Sequence, residues 1–441
     1  MTLYNFDEPI NRKNTACAKW DRHAKSGKPE DLLPLWVADM DFPVPHEVTR
    51  ALHERVDHAI FGYTDPSDSY YEAVTSWFEA HHGWSFDAEE ITITPGVCFA
   101  LAQAVQAFTQ PGDAVLIQPP VYYPFRMLIA ENNRVVVKAP LTYDVEVART
   151  GQAWAVAHSG ESGEGTAARA EHGAESEEGV AAADAASAAA RGGEVRPPHP
   201  YSIDFDAFEQ TIIETRPKLF FLCNPHNPVG RVWREDELRR MGEICFKHDV
   251  IVVSDEIHAD FSRPGFRHVP FATLGEEFKQ KSVICTAPSK TFNLAGLQVS
   301  NIVIADPKLR LKFRAAVDAT GYGNINSLGM VAAEASYRYG LEWLTQVKEY
   351  LEGNLAAMNE FLARELPQVT LVQPESTYLT WVDCHGLDLT HDELKRAVEE
   401  KARLWLDHGA MFGSEGVGFM RFNNATQRAT LMQALEQFSL L

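Results

Sequence analysis

What the chain lacks narrows its class. No run of about 18 apolar residues occurs, the length a membrane-spanning helix needs. The N-terminal stretch MTLYNFDEPINRKN has no apolar core of the kind a secretory signal carries. Cysteine is scarce and scattered: Cys17, Cys98, Cys223, Cys245, Cys285 and Cys384 are the six, and none forms a C-x-x-C pair. A disulfide framework or a zinc site is therefore not expected, and buried apolar thiols are. Together these features place the protein in the cytoplasm, with no membrane partner. Positive charge is also in deficit: 40 Lys and Arg face 61 Asp and Glu, a formal net charge of −21. Such a surface repels a phosphate backbone, so nucleic acid is not an expected partner. A small anionic ligand stays possible, because local dipoles and a few cations decide its binding.

One segment has almost no large apolar side chains. Residues 150–199 are rich in Ala, Gly, Glu and Ser and cannot bury enough surface to offset the entropy of ordering, so they are expected to form a flexible surface insertion. The chain as a whole is 45% hydrophobic and 23% charged, the balance of a soluble globular protein. Its 441 residues suit two units rather than one small core.

Residues 1–50 read as irregular, and 68–82 as a helix. Apolar runs bounded by turn signals follow at 91–96, 113–125, 134–141, 218–225, 249–256 and 282–289, with helical patterns between them such as 99–108 and 234–248. This alternation predicts a buried, mostly parallel sheet in an α/β fold. From about 303 longer helical patterns take over, including 330–365, and a short α/β segment closes the chain. The expected division is an N-terminal arm (1–50), a large unit (51–302) carrying the insertion, and a smaller C-terminal unit (303–441) completed by part of the arm.

Ligands in such sheets sit beyond the carboxyl ends of the strands, and four polar motifs fall there. APSKTFNLAG (287–296) puts Lys290 between a buried strand and a Gly-containing turn. Desolvation there would lower its pKa and make it nucleophilic, as a Schiff-base lysine requires; a surface lysine at a strand end is the plainer reading. Asp255 closes the apolar strand in VVSDEIHAD, where it could pair with a protonated pyridine nitrogen or simply cap a helix. In CNPHNPVG, Asn227 could donate to a ring hydroxyl, or the segment could be turn chemistry alone. Gly96 and Val97, in TPGVCFA, could offer backbone N–H groups to a phosphate at a helix N-terminus, or merely turn from strand to helix.

Taken together and in this order, the four motifs resemble those of the class I/II aminotransferase superfamily of fold-type I. Within it the chain looks like the MalY/PatB-type cystathionine beta-lyase (carbon–sulfur lyase) branch. The markers are LWVADMDFPVP (35–45), FGYTDP (61–66), QPPVYYPF (118–125), NPHNPVGRVW (224–233), SDEIHAD (254–260), APSKTFNLAG and FMRFN (419–423). The resemblance implies the pyridoxal 5′-phosphate fold of that superfamily, with a large domain around a mostly parallel sheet and a smaller C-terminal α/β domain. It implies pyridoxal 5′-phosphate as cofactor, held covalently by Lys290, with Asp255 at the pyridine nitrogen, Asn227 near the ring hydroxyl and Tyr122 on the ring face. Gly96, Val97, Thr286 and Ser289 are implied phosphate contacts. Tyr63 is implied to reach the phosphate of a neighbouring subunit, making a homodimer with composite sites. Arg421 is the implied clamp for a substrate α-carboxylate, with Trp36 and Asp39 bordering the pocket.

The expected reaction is β-elimination of cystathionine or a related cysteine thioether to a thiol, pyruvate and ammonia. Two departures from the aminotransferase pattern favour the lyase branch: His258 stands where aminotransferases carry Tyr, and Gln298 where many carry a phosphate-gripping Arg. Amino-group transfer is the alternative reaction, and a regulatory protein that binds a transcription factor is the alternative from another class.

Overall fold

The computed structural model describes residues 4–158 and 197–441. Its centre is a seven-stranded sheet in the order Ile91–Thr94, Ser300–Val303, Ser282–Thr286, Ile251–Asp255, Leu219–Cys223, Ala114–Ile117 and Val135–Lys138. Ser300–Val303 runs antiparallel to both its neighbours, and the other strand pairs are parallel. The three inner strands LFFLC, IVVSD and SVICT are buried almost throughout. Both faces of such a strand meet helices, which is why these stretches read as unbroken apolar runs rather than alternating ones. All but one of the strands end at the same edge, so Pro95–Cys98, Tyr122, Asn227, Asp255–His258 and Ser289–Lys290 converge there.

A second, four-stranded antiparallel sheet orders Thr370–Val372, Leu379–Asp383, Phe419–Asn423 and Asp407–His408. The helices Leu341–Glu365 and Arg428–Phe438 pack behind it around Leu355, Leu362, Leu371, Phe422 and Leu435. The N-terminal stretch joins this layer: Leu33–Pro34 pairs in parallel with Leu404–Trp405. Pro307–Asp318 packs instead on Val97–Phe108, and Ser327–Tyr339 on His46–Asp57 and Asp68–His82. These two helices lie beyond residue 303 in the chain, yet in space they pack on helices from its first hundred or so residues.

The structure corrects three expectations. First, the stretch expected to be irregular up to residue 50 already holds short turns of helix at Ala18–Asp21 and Ala24–Ser26, and the helix His46–Asp57 starts inside it. Second, the helical pattern 330–365 is two helices, Ser327–Tyr339 and Leu341–Glu365. The break falls at Gly340, where an added Cβ would lie 2.4 Å from the Phe292 ring and 2.5 Å from the Ser336 carbonyl.

Third, the insertion begins later than composition suggests. Val145–Ala157 is a helix capped by Asp144, whose side chain accepts from Glu146 and Val147 N–H. Ala148 and Gln152 are its buried face, and Gln152 Oε1 accepts from Leu371 N at 3.2 Å. A helix that docks through Ala and Gln leaves no large-apolar signature. At the far end, the His199 imidazole bonds the Val229 carbonyl at 3.1 Å. The rest of the expected flexible insertion, 159–196, lies outside the described residues.

Gly151, Trp154 and Pro197–Pro200 line one small cavity, so the two flanks of 159–196 sit side by side. Replacing 159–196 by a short Gly-Ser linker is expected to leave thermal stability and activity near wild type, since loop length costs only about 0.6 kcal/mol per doubling. Extending the deletion back to residue 150 is expected to cost roughly 1–3 kcal/mol, because it removes a buried, hydrogen-bonded docking face. Equal melting curves for the two deletions would contradict this.

Candidate active site

The strand ends enclose a cavity of about 200 Å³ lined by Gly96, Val97, Cys98, Tyr122, Asn227, Asp255, His258, Ser289, Lys290 and Gln298, among others. Lys290 sits on the one-turn helix Pro288–Thr291, which opens with a proline at a position where the missing N–H is not needed. Its half-buried side chain donates from Nζ to the Ala38 carbonyl at 2.5 Å, and Tyr378 donates to the same carbonyl at 3.0 Å. Burial lowers the Lys290 ammonium to about 8; Asp39 opposes the shift and Arg421 adds to it. The amine is therefore largely neutral at a pH where an ordinary lysine is almost wholly protonated.

Asp255 ends its strand facing the cavity, with Oδ1 accepting from Ile257 N at 3.2 Å. Burial raises its carboxyl to about 7, against the pull of that N–H and of Lys290. A buried carboxylate in this state lacks a cation to hold. Asn227 lies in the loop after Cys223, where its N–H bonds the Cys223 sulfur at 3.3 Å and His226 Nε2 bonds the Pro120 carbonyl at 3.0 Å. Tyr122 is half-buried, with its hydroxyl 3.8 Å from Cys98 Sγ. Val97 opens the helix Val97–Phe108 with Gly96 at its N-cap, so free N–H groups and the positive end of the helix dipole face the cavity.

Arg421 lies just outside the cavity lining, on the strand Phe419–Asn423, and is buried to 3% exposure. It donates from Nη1 to Asn227 Oδ1 at 3.1 Å and from Nη2 to the Trp36 carbonyl at 2.9 Å. Nη2 also pairs with Asp407, its cross-strand neighbour. The guanidinium rests on the Phe412 ring, 4.9 Å from its centroid, and its Nε–H is buried without a partner. A buried donor left free in this way is suited to an incoming carboxylate. Trp36 stacks on Trp405 at 4.6 Å, so it frames Arg421 through its backbone. Asp39 is turned to Arg12, 2.5 Å away.

Two candidate residues stand apart from the cavity. Thr286 is buried in the sheet, outside the cavity lining, and its hydroxyl donates to the Asn301 carbonyl at 3.0 Å. Tyr63, in the segment between His46–Asp57 and Asp68–His82, is 94% exposed and touches no part of this chain's own cavity. Residues that sequence reasoning missed are Asp407, Arg12, Cys98 and the Ala38 carbonyl. Asp407 and Arg12 reach the site only through cross-strand register and long-range pairing; Cys98 follows the recognised Gly96–Val97 turn and could have been taken with it.

A nucleophilic amine, a buried carboxylate short of a cation, an amide, an aromatic face and a helix N-terminus converge on one cavity. The Aminotransferase class I and II family model matches residues 30–154 and 184–438, and the chain belongs to that family. Within it, the chain is 39% identical over 433 residues to the cystathionine beta-lyase PatB of Bacillus subtilis (strain 168), covering 98% of each. Among solved structures, cystalysin from Treponema denticola, which contains pyridoxal 5′-phosphate, matches with a TM-score of 0.84 and 32% identity over 99% of this chain and 98% of that one. The pyridoxal-phosphate-bound C-S lyase from Staphylococcus hominis matches with a TM-score of 0.82 and 30% identity, over 99% and 98%.

The cofactor is pyridoxal 5′-phosphate, and the residues present fit it. Lys290 would offer the amine for its aldehyde, Asp255 the carboxylate for its ring nitrogen, Asn227 the amide for its ring hydroxyl, and the Val97–Phe108 helix N-terminus with Ser289 the donors for its phosphate. Among the described residues no helix is long and apolar enough to cross a membrane, and no cluster of three or more His, Cys, Asp or Glu is arranged to hold a metal ion.

Proposed function

We propose that the chain is a pyridoxal-phosphate-dependent carbon–sulfur β-lyase that converts cystathionine or related cysteine thioethers to a thiol, pyruvate and ammonia. The observation that carries the residue roles is the convergence of Lys290, Asp255, Asn227 and the Val97–Phe108 helix N-terminus on one cavity, where burial lowers the Lys290 amine. The relatives named cystathionine beta-lyase and C-S lyase support the reaction type.

Bound at this site, pyridoxal 5′-phosphate supplies an electron sink for the pair left at Cα when its proton is removed. Asp255 would hold a proton at the ring nitrogen, which would keep that sink effective. Arg421 binds the substrate α-carboxylate, and Asp407 and the Trp36 carbonyl fix the plane of its guanidinium. Lys290 Nζ takes the Cα proton, and the sulfur at Cβ leaves as a thiol. Tyr122 packs on the ring face, and Trp36 and Asp39 border the pocket through the chain segment that holds Arg421 and Lys290. Gly96, Val97 and Ser289 hold the phosphate. Tyr63, exposed beside Ile60 and Phe61, reaches the phosphate of a second copy, so the working unit is a homodimer.

Incubation with cystathionine in the absence of any keto acid is expected to release pyruvate and free thiol in equal amounts. Efficient amino transfer to a keto acid, with pyruvate and thiol at background for several thioethers, would instead establish an aminotransferase. Arg421→Ala is expected to lower kcat/KM by a few kcal/mol, on the order of 2–5, since it removes a charge-assisted clamp and strands Asp407. A loss under tenfold would show that another group binds the carboxylate.

A further inference from the structure

A knot of charge lies behind the lysine. Arg12, in the N-terminal arm, donates from Nη2 to Asp39 Oδ2 at 2.5 Å, and from Nη1 to Asp41 Oδ1 at 2.6 Å and the Met40 carbonyl at 3.2 Å. Asp41 Oδ2 also accepts from Nζ of the fully buried Lys19 at 2.5 Å. Asp41 therefore has two cations, while Asp39 has Arg12 alone. The other Asp39 oxygen, Oδ1, is buried without any hydrogen-bond partner. Asp39 directly follows Ala38, whose carbonyl accepts from Lys290 Nζ. A carboxylate with one paired and one bare oxygen thus stands one peptide from the group that holds the lysine amine.

We propose that Arg12 is a positioning residue for the proton chemistry of Lys290: its pairing with Asp39 sets how much of that carboxylate's charge the amine feels, so the N-terminal arm tunes the pH at which Lys290 becomes a base. This rests on Lys290 being the working amine. The charged and titratable groups around Lys290 act in opposition: Asp39, Cys98 and Asp255 favour the protonated form, while burial and Arg421 oppose it. Asp39 leads the first set, so a change in its compensation moves Lys290 most directly. Removing Arg12 takes away a positive charge and unmasks Asp39; both effects strengthen the hold on the lysine proton. Removing the Asp39 charge does the reverse.

The test follows the rate at which an amine-selective acylating reagent modifies Lys290 in the full-length, cofactor-free protein as pH is raised, read by peptide mass. Arg12→Gln is expected to move the midpoint up by about half a unit or more, and Asp39→Asn to move it down by a similar amount. The double variant, which loses both charges, is expected to return close to wild type, and Arg12→Lys to stay close to it. The acid limb of kcat in the loaded enzyme is expected to follow the same order. A role confined to holding the arm in place predicts no opposite shifts and no cancellation. Shifts of the same sign, or none in Asp39→Asn, overturn the proposal. If Arg12→Gln fails to fold, Arg12→Met, which keeps the bulk of the stem without the charge, is read in its place, and the absence of an upward shift in the variant that folds overturns the proposal. Labelling does not need the lyase reaction, so a failed pyruvate assay leaves this result intact and counts only against the proposed activity.

Discussion

Lys290→Ala is expected to lower β-elimination by at least roughly 10²–10⁴-fold, the contribution of a well-placed proton-transfer group, while leaving the fold in place. The fold survives for a specific reason. The hydrogen bond from Lys290 Nζ goes to the Ala38 carbonyl, which keeps a second donor in the Tyr378 hydroxyl at 3.0 Å, so no buried acceptor is stranded. The variant also removes a cation that burial disfavours. Wild-type protein is expected to be yellow with the cofactor and to retain it on Lys290 after borohydride reduction, as seen by peptide mass; the variant is expected to retain none. In the wild type, the neutral fraction of Lys290 rises with pH through about 8. Amine-selective labelling of Lys290 in the cofactor-free protein is therefore expected to climb from acid pH and level off above about 8, two units or so below an ordinary lysine. Steady-state kinetics and a thermal melt of the two proteins check this together. A variant that turns over within tenfold of wild type would remove Lys290 from the mechanism.

Asp255→Ala is the second large effect, expected on the order of 10³-fold in kcat, because the group that governs a proton essential to the chemistry is gone. The alanine variant is expected to fold, since Asp255 accepts one side-chain bond, from Ile257 N–H at 3.2 Å, and its backbone stays in the sheet. Its ionisation gives a further check. Burial raises the folded carboxyl from 3.8 to about 7, so between these values the folded cofactor-free protein binds more protons than the unfolded chain. The stability Asp255 contributes is present below about pH 4 and is lost as pH rises through about 7. Asp255→Asn lacks this dependence. Its melting temperature, relative to that of the cofactor-free wild type, is expected to rise with pH across that window, while its turnover stays as low as that of the alanine variant. Near wild-type turnover in either variant would show that a different residue holds the ring nitrogen.

The chemistry of the strand ends was legible from the sequence because local pattern and local chemistry coincide there. LFFLC, IVVSD and SVICT are apolar throughout since both faces of an inner parallel strand are covered, and the residue or loop after each is polar because it leaves the sheet at the ligand edge. Lys290, Asp255, Asn227 and the Gly96–Val97 turn could be read in this way without knowing how the strands are ordered. The helix Val145–Ala157 and the break at Gly340 were less visible. The helix docks through Ala148 and Gln152, which composition does not distinguish from a polar linker, and the break depends on Phe292, a neighbour nearly fifty positions away in the chain.

What only the tertiary structure decided is which charges meet. Asp407 stands opposite Arg421 through strand register, Asn227 accepts from the same guanidinium across almost two hundred residues, and Arg12 reaches Asp39 and Asp41 from the arm. None of these pairings follows a sequence period. The Thr286 hydroxyl likewise meets its partner, the Asn301 carbonyl, only across the sheet. Burial is written locally, in hydrophobic runs and turn residues, so the sequence by itself determined the layers and the residue types of the site. Ionisation depends on the few charges brought within several ångströms by packing, so the proton affinities of Lys290 and Asp255, and the partners that hold Arg421 and Asp39, were decided only when the chain was folded.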